Sequence, residues 1–112
     1  MNPAPPYSSQ EPSRAEVEAM AGCTVLEFGA NWCGICQAAQ RQIGEALAAQ
    51  GPLRHLKIED GRGRPLGRSF GIKLWPTLVM LRDGREVARV VRPAGVREIA
   101  AALARLADPP AA

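Results

Sequence analysis

Hydrophobic positions along the chain change their spacing several times, and each change marks an element. Cys23 to Gly29 (CTVLEFG) is a nearly unbroken apolar run with β-branched residues, as expected of a strand buried on both faces in a parallel sheet. From Cys33 onward the period lengthens. Ile35, Ala39, Ile43, Ala46 and Leu47 recur at steps of three and four, which predicts an amphipathic helix running to Gly51-Pro52. Leu53 to Glu59 reads as a second strand. Residues 60–71 read as a loop with a short helix from Pro65 to Phe70. Thr77 to Arg82 is a third strand, Asp83-Gly84 a two-residue hairpin turn, and Arg85 to Val91 its alternating partner. Val96, Ile99, Ala100, Leu103 and Leu106 form the stripe of a last helix, stopped by DPPAA.

The first twenty residues behave differently. Residues 1–12 carry four prolines among polar residues and are expected to form a disordered Pro-rich tail. Ser13-Arg14-Ala15-Glu16 has the spacing of a capping box, so a short helix should begin at Arg14 and end near Gly22. The domain is therefore expected over 13–108. The order is α-β-α-β-(α)-β-β-α. An early strand–helix–strand unit implies a right-handed parallel crossover, and the late hairpin adds antiparallel strands. The fold class is α/β: a small mixed sheet with helices on both faces.

Composition narrows the function. At 112 residues there is one domain, long enough to fold without staples. No apolar run approaches a membrane span, and the N-terminus has neither a basic start nor an apolar stretch of the kind an export signal needs. A cytoplasmic location is the expectation, with no membrane partner. The net charge of +3 is uneven: residues 1–50 sum to −3 and residues 51–112 to +6, and twelve of the fourteen basic residues are Arg. That imbalance raises nucleic-acid binding as a class. No aromatic interleaves with the Arg-rich stretch 61–68, so the Arg residues read as a solvated surface and no nucleic-acid partner is expected.

The chemistry concentrates in EFGANWCGIC, residues 27–36. Cys33 falls where a buried strand gives way to a helix. The free N–H groups and the positive end of the helix dipole there favour an anionic sulfur, the nucleophile of disulfide exchange. Cys36, one turn on, lies on the same side and can attack a mixed disulfide from within the molecule. Trp32 offers a flat apolar surface beside the pair. Zinc is the weaker reading: four ligands are needed, a second CxxC is absent, and Cys23 and His55 sit at unhelpful spacings. Haem attachment needs His after the second Cys, where Gln37 stands. A static staple closing so small a loop adds little.

These residues resemble the active site of the thioredoxin family, whose hallmark is WCGPC at the end of a strand. The similarity continues through Phe70-Gly71-Ile72, Trp75-Pro76-Thr77-Leu78, the Asp83-Gly84 hairpin and the terminal helix, over about residues 14 to 107. The resemblance implies a thiol–disulfide oxidoreductase that reduces protein disulfides. It has no bound cofactor, only a redox-active disulfide between Cys33 and Cys36. Cys33 corresponds to the exposed nucleophile and Cys36 to the buried resolving thiol. Pro76 matches the family's cis proline, facing the pair and leaving a backbone edge for a substrate strand. A recycling reductase is also implied, either a flavin-dependent thioredoxin reductase or a glutathione system, and a monomer is expected.

Glu27 stands in the place of the family's buried Asp, six residues before the nucleophile. A lone carboxylate in a central strand is expected to escape its burial by a raised pKa, from which it can take the proton of Cys36; the alternative is a side chain that reaches water or pairs with a basic residue. His55 either modulates Glu27 or is a surface residue. Cys23 reads as a small buried hydrophobe. Several positions depart from the family: Trp75 replaces a smaller residue, Arg92 replaces a groove glycine, and Ile35 replaces the proline between the cysteines. With Trp32, Gly34 and Pro76, these form the expected substrate surface. Ile35 is expected to make the pair less reducing. The alternative function is a redox-sensitive protein-interaction module on the same fold with little turnover.

Overall fold

The structure is a computed structural model and describes residues 4–107. Its elements are α1 (Arg14–Glu18), β1 (Cys23–Gly29), α2 (Gly34–Ala48), β2 (Arg54–Glu59), α3 (Pro65–Ser69), β3 (Thr77–Arg82), β4 (Arg85–Val91) and α4 (Val96–Ala104), followed by a 3₁₀ turn over Arg105–Ala107. The expected domain end at 108 and the DPPAA stop lie outside the described residues.

The four strands form one mixed sheet in the order β2-β1-β3-β4. β1 pairs parallel with β2 and antiparallel with β3, and β3 pairs antiparallel with β4. Alternation along β1 builds two cores. Val25 packs with Ile43, Leu78, Met80, Ile99 and Leu103 under α2 and α4. Leu26 and Phe28 pack on the opposite face with Val17, Ile58, Leu66, Phe70, Val79 and Leu81. A central strand covered on both sides has no reason to alternate with polar residues, which explains the continuous run.

The β3–β4 hairpin turns at Asp83 (φ 50°) and Gly84 (φ 79°), left-handed at both central residues as the tightest hairpins require. Gly84 also passes close to α1: a Cβ there would sit 2.1 Å from the Glu18 carbonyl oxygen. Ser13 caps α1 with the reciprocal capping-box bonds. α1 stops at Glu18 and not near Gly22, because Gly22 turns to positive φ (79°) and is pinned to the hairpin. Its N–H donates to Asp83 Oδ1 (2.8 Å) and its carbonyl accepts from Asp83 N (2.9 Å).

The expected disordered tail is corrected by the structure. Ser8 forms a parallel bridge to Ile58 at the outer edge of β2. Ser8 N donates to the Lys57 carbonyl, and Glu59 N donates to the Ser8 carbonyl, both at 2.9 Å. Tyr7 is buried, Glu11 pairs with Arg64 at 3.2 Å, and Arg64 donates to the Ser9 carbonyl at 2.5 Å. A Pro-rich composition signals disorder only where no sheet edge is open to receive the strand, and β2 supplies one. Residues 1–3 of that expected tail lie outside the described residues.

Candidate functional site

α2 follows β1 after a four-residue connection, 30–33, whose last residue, Cys33, is the helix N-cap. The Cys33 sulfur accepts from the Cys36 backbone N–H at 3.2 Å, so a helix amide points at the atom where negative charge develops in exchange. Both cysteines are in the dithiol form. Cys36 is fully buried. Cys33 keeps only 8% of its surface, so the expected exposed nucleophile is corrected to a recessed one. It shares a small cluster with Tyr7, Ala30 and Cys36, against which Trp75 packs. Burial first, and then the neighbouring Cys33 sulfur, push the Cys36 thiol up to about 11.

Around this pair lies an apolar rim. Trp32 is 76% exposed and Ile35 and Leu74 are roughly half exposed, an arrangement suited to contact with another chain. Trp75 meets Trp32 edge to face at a ring separation of 5.6 Å. Its indole Nε1 donates to Asp60 Oδ2 (2.9 Å), a buried carboxylate that also receives Arg68 at 2.9 Å. Trp75 is thus both a rim residue and an anchored one. The Trp75–Pro76 peptide bond is cis. Arg92 adopts positive φ (48°), the region a glycine favours. Its N–H donates to the Pro76 carbonyl at 2.8 Å and its guanidinium Nε to the Trp75 carbonyl at 3.0 Å. The sequence-expected residues Trp32, Gly34, Ile35, Trp75, Pro76 and Arg92 therefore converge on one end of the molecule with the cysteines. Cys23 lies at the far end of β1, half-buried and packed against the α2–α4 core.

Glu27 is fully buried beneath the pair, on the face of β1 covered by α2. Its Oε2 accepts from the Tyr7 hydroxyl (2.5 Å) and from Gln40 Nε2 (2.9 Å), and its Oε1 meets His55 Nε2 at 2.9 Å. Lys57 is its register partner on β2. The expected raised pKa is overturned. Burial does push the carboxyl up, but hydrogen bonds from His55, Gln40 and Tyr7, with the Lys57 charge, outweigh it and hold it below its ordinary value. Glu27 is an ionised, fully partnered carboxylate. His55 is accordingly its partner and not merely a surface residue.

Tyr7 is the member of this site that the sequence does not announce. Asn31 clamps its backbone from both sides, accepting from Tyr7 N at 2.8 Å and donating to its carbonyl at 3.2 Å. The ring then lies across Gly29. A Cβ at Gly29 would be 2.6 Å from Tyr7 Cζ, 2.7 Å from its hydroxyl and 2.9 Å from the Cys36 sulfur. Gln40 Nε2 also reaches the hydroxyl at 3.1 Å, and the Lys57 ammonium sits 4.7 Å from the ring centroid. A faint signal existed: a strand that ends in glycine, two residues after a buried acid, leaves a gap that something must fill.

The thioredoxin family model matches residues 7–105, a span that includes the cysteine pair, both tryptophans, Pro76 and Tyr7 itself. The chain belongs to the thioredoxin family. Thioredoxin 2 from Pseudomonas aeruginosa PAO1, solved in its reduced form, is similar over 91% of this chain and 94% of that one, with 53% identity and a TM-score of 0.82. A thioredoxin of Chlamydia muridarum is 40% identical over 73 residues, covering 63% of this chain and 70% of the relative. The thioredoxin Asp f 28 of Aspergillus fumigatus is 29% identical over 79 residues, covering 70% of this chain and 73% of the relative. As a member of the thioredoxin family with an intact CxxC pair, the chain is a protein thiol–disulfide oxidoreductase, and protein disulfides and a reductase are the partners of this family in general.

Proposed function

We propose that this thioredoxin works chiefly in the reducing direction, with Cys33 as nucleophile and Cys36 as resolving thiol. The observation that carries the assignment is the helix amide aimed at the Cys33 sulfur at 3.2 Å, directly beneath an apolar rim. The Cys33 thiolate attacks one sulfur of a substrate disulfide and expels the other as a thiolate. Cys36 then attacks Cys33 in the mixed disulfide, closing the Cys33–Cys36 bond and releasing the second substrate sulfur. Two electrons pass to the substrate, and the protein ends as the disulfide. Glu27 receives the proton that Cys36 must lose: its carboxylate is open to accept one, its depressed value makes that acceptance transient, and the Tyr7 hydroxyl bonded to it crowds the Cys36 sulfur above Gly29.

Trp32, Gly34, Ile35, Trp75, Pro76 and Arg92 form the substrate surface in this reading. Arg92 occupies the Trp75 carbonyl, so a substrate strand that pairs along this edge has to displace its guanidinium. Ile35, without proline's restraint on the helix start, makes the pair less reducing than a WCGPC pair. The protein is a cytoplasmic monomer recycled by a flavin-dependent reductase or by glutathione. The described residues hold no helix long and apolar enough to cross a membrane, which is compatible with that placement.

Insulin reduction driven by dithiothreitol tests the reading. The wild type should precipitate insulin B chain and Cys33→Ser should not. A wild type without turnover would instead favour the interaction-module alternative. Mixed disulfides trapped in lysate by Cys36→Ser would name the substrates.

A further inference from the structure

A resolving thiol that is buried and pushed up to about 11 has to lose its proton before it can attack, and Glu27 is the base at hand. Among the described residues no hydrogen bond joins Glu27 directly to Cys36. The Tyr7 hydroxyl lies against both. It donates to Glu27 Oε2 at 2.5 Å, and it crowds the same point above Gly29 as the Cys36 sulfur. On the other side of the carboxylate, His55 Nε2 lies 2.9 Å from Oε1, and its side chain keeps 30% of its surface, lining an open cleft with Pro5, Gly44 and Lys57. We propose that Tyr7, carried by the N-terminal segment, is the proton carrier between Cys36 and Glu27, and that the partly exposed His55 side of Glu27 is the outlet to solvent.

The inference rests on the dithiol mechanism above and adds the route its proton takes. In the resolving step the Cys36 S–H bond breaks, and its proton passes to the Tyr7 oxygen as the Tyr7 O–H proton passes to Glu27 Oε2. The electron pair left on Cys36 forms the bond to Cys33, and the bond from Cys33 to the substrate sulfur breaks, with the substrate leaving as thiolate. Tyr7 ends as it began, a neutral phenol. Glu27 ends protonated on Oε2 and, because its value lies below the ordinary carboxylate range, gives that proton up again to water reaching it along the partly exposed His55 side, with His55 remaining the donor to Oε1. Burial and the facing Glu27 carboxylate raise the Tyr7 hydroxyl far above its ordinary value, so it relays protons without resting as a phenolate. The charged and titratable groups that face it are Glu27 on β1, Cys36 on α2, and Lys57 on β2, with His55 beyond Glu27. Gln40 Nε2, within reach of both the hydroxyl and Oε2, holds the two in line. The ring also fills the space above Gly29 that a carrier water would need.

The test uses 5,5′-dithiobis(2-nitrobenzoate) in a Cys23→Ser background, followed by stopped-flow absorbance. Attack by Cys33 releases one thionitrobenzoate in a phase that depends on reagent concentration. Resolution by Cys36 releases a second in a unimolecular phase. Tyr7→Phe keeps the ring and should leave the first phase within about twofold, which also reports that the α2 cap is folded. It should slow the second phase by about 100-fold, the scale of one positioned proton-transfer group. The residual rate should climb tenfold per pH unit, because bulk base must then remove the Cys36 proton. Glu27→Gln should match it, and the double variant should be no slower than the slower single, as for two members of one relay. A Tyr7→Phe second phase with wild-type rate and pH profile overturns the proposal, as do single effects that multiply. A wild type that releases only one equivalent would be a different failure, of the dithiol mechanism itself.

Discussion

Gly29→Ala adds one methyl group at the most crowded point of the site, and its cost can be worked from the geometry. Gly29 lies in β1 outside the left-handed region, so the backbone itself tolerates alanine. The new Cβ would fall 2.6 Å from Tyr7 Cζ, 2.7 Å from the Tyr7 hydroxyl and 2.9 Å from the Cys36 sulfur, all well inside contact distance. The sulfur is held by α2, so the tyrosine must yield. Overpacking of this kind costs about 1–3 kcal/mol. Withdrawing the hydroxyl also breaks its bond to the Glu27 carboxylate, and a hydrogen bond to a charged group is worth about 1.5–3 kcal/mol. The expected total is about 2.5–6 kcal/mol, a large part of the ~5–15 kcal/mol that holds a domain of this size. Urea unfolding of the reduced protein measures it. In a Tyr7→Ala background only the sulfur clash remains, so the same substitution should cost about 1 kcal/mol there. A penalty below about 0.5 kcal/mol in the wild type, or an equal penalty in both backgrounds, would refute the claim that Tyr7 and Gly29 are fitted to one another.

Further expectations follow from the same contacts. Trp75→Phe removes the indole donor to buried Asp60 and should cost about 1–3 kcal/mol in urea unfolding, with Arg68 left as the carboxylate's remaining side-chain partner. Because the Glu27 carboxyl sits below its unfolded value, its contribution is fully present above about pH 4.3 and is lost as pH falls through the lower folded value. Stability measured from pH 6 to pH 3 should therefore drop more steeply in the wild type than in Glu27→Gln. Cys36 and Tyr7 have the opposite sign, since their folded values are raised: the Cys36 contribution is intact below about pH 8.5 and is lost as pH climbs toward 11, and that of Tyr7 is intact to about pH 10 and is lost only above it, so Cys36→Ala should flatten the alkaline limb of the stability curve between about pH 8.5 and 11. Arg92→Gly relieves a side chain from positive φ and should raise the midpoint of thermal unfolding by a few degrees, an effect a differential scan resolves.

Legibility in the sequence tracked the range over which each feature is determined. β1 and β3 were readable to the residue, because a strand covered on both faces writes its burial into consecutive positions. The hairpin was readable from Asp83-Gly84 alone, since both residues must accept positive φ. The cysteine pair was readable because its chemistry lies within one helical turn. Glu27 was legible as a buried acid, but its pKa moves down where burial alone predicts up. Its three donors come from 13, 20 and 28 residues away, and no local pattern records that they meet. Tyr7 was missed for a related reason. It sits in a Pro-rich stretch whose composition speaks only of local disorder, while its order comes from Asn31 and the β2 edge.

The short bridge of Ser8 to β2 has a practical side. Whatever is attached ahead of residue 4, whether a purification handle, a reporter or a surface linker, joins the segment that carries Tyr7 and tugs on the strand that seats the phenol. Attachment behind Ala107 pulls instead on the end of α4, on the opposite flank of the core. Two fusions of the same protein can for that reason differ in turnover while melting alike, and the orientation of a tag becomes a variable of the chemistry.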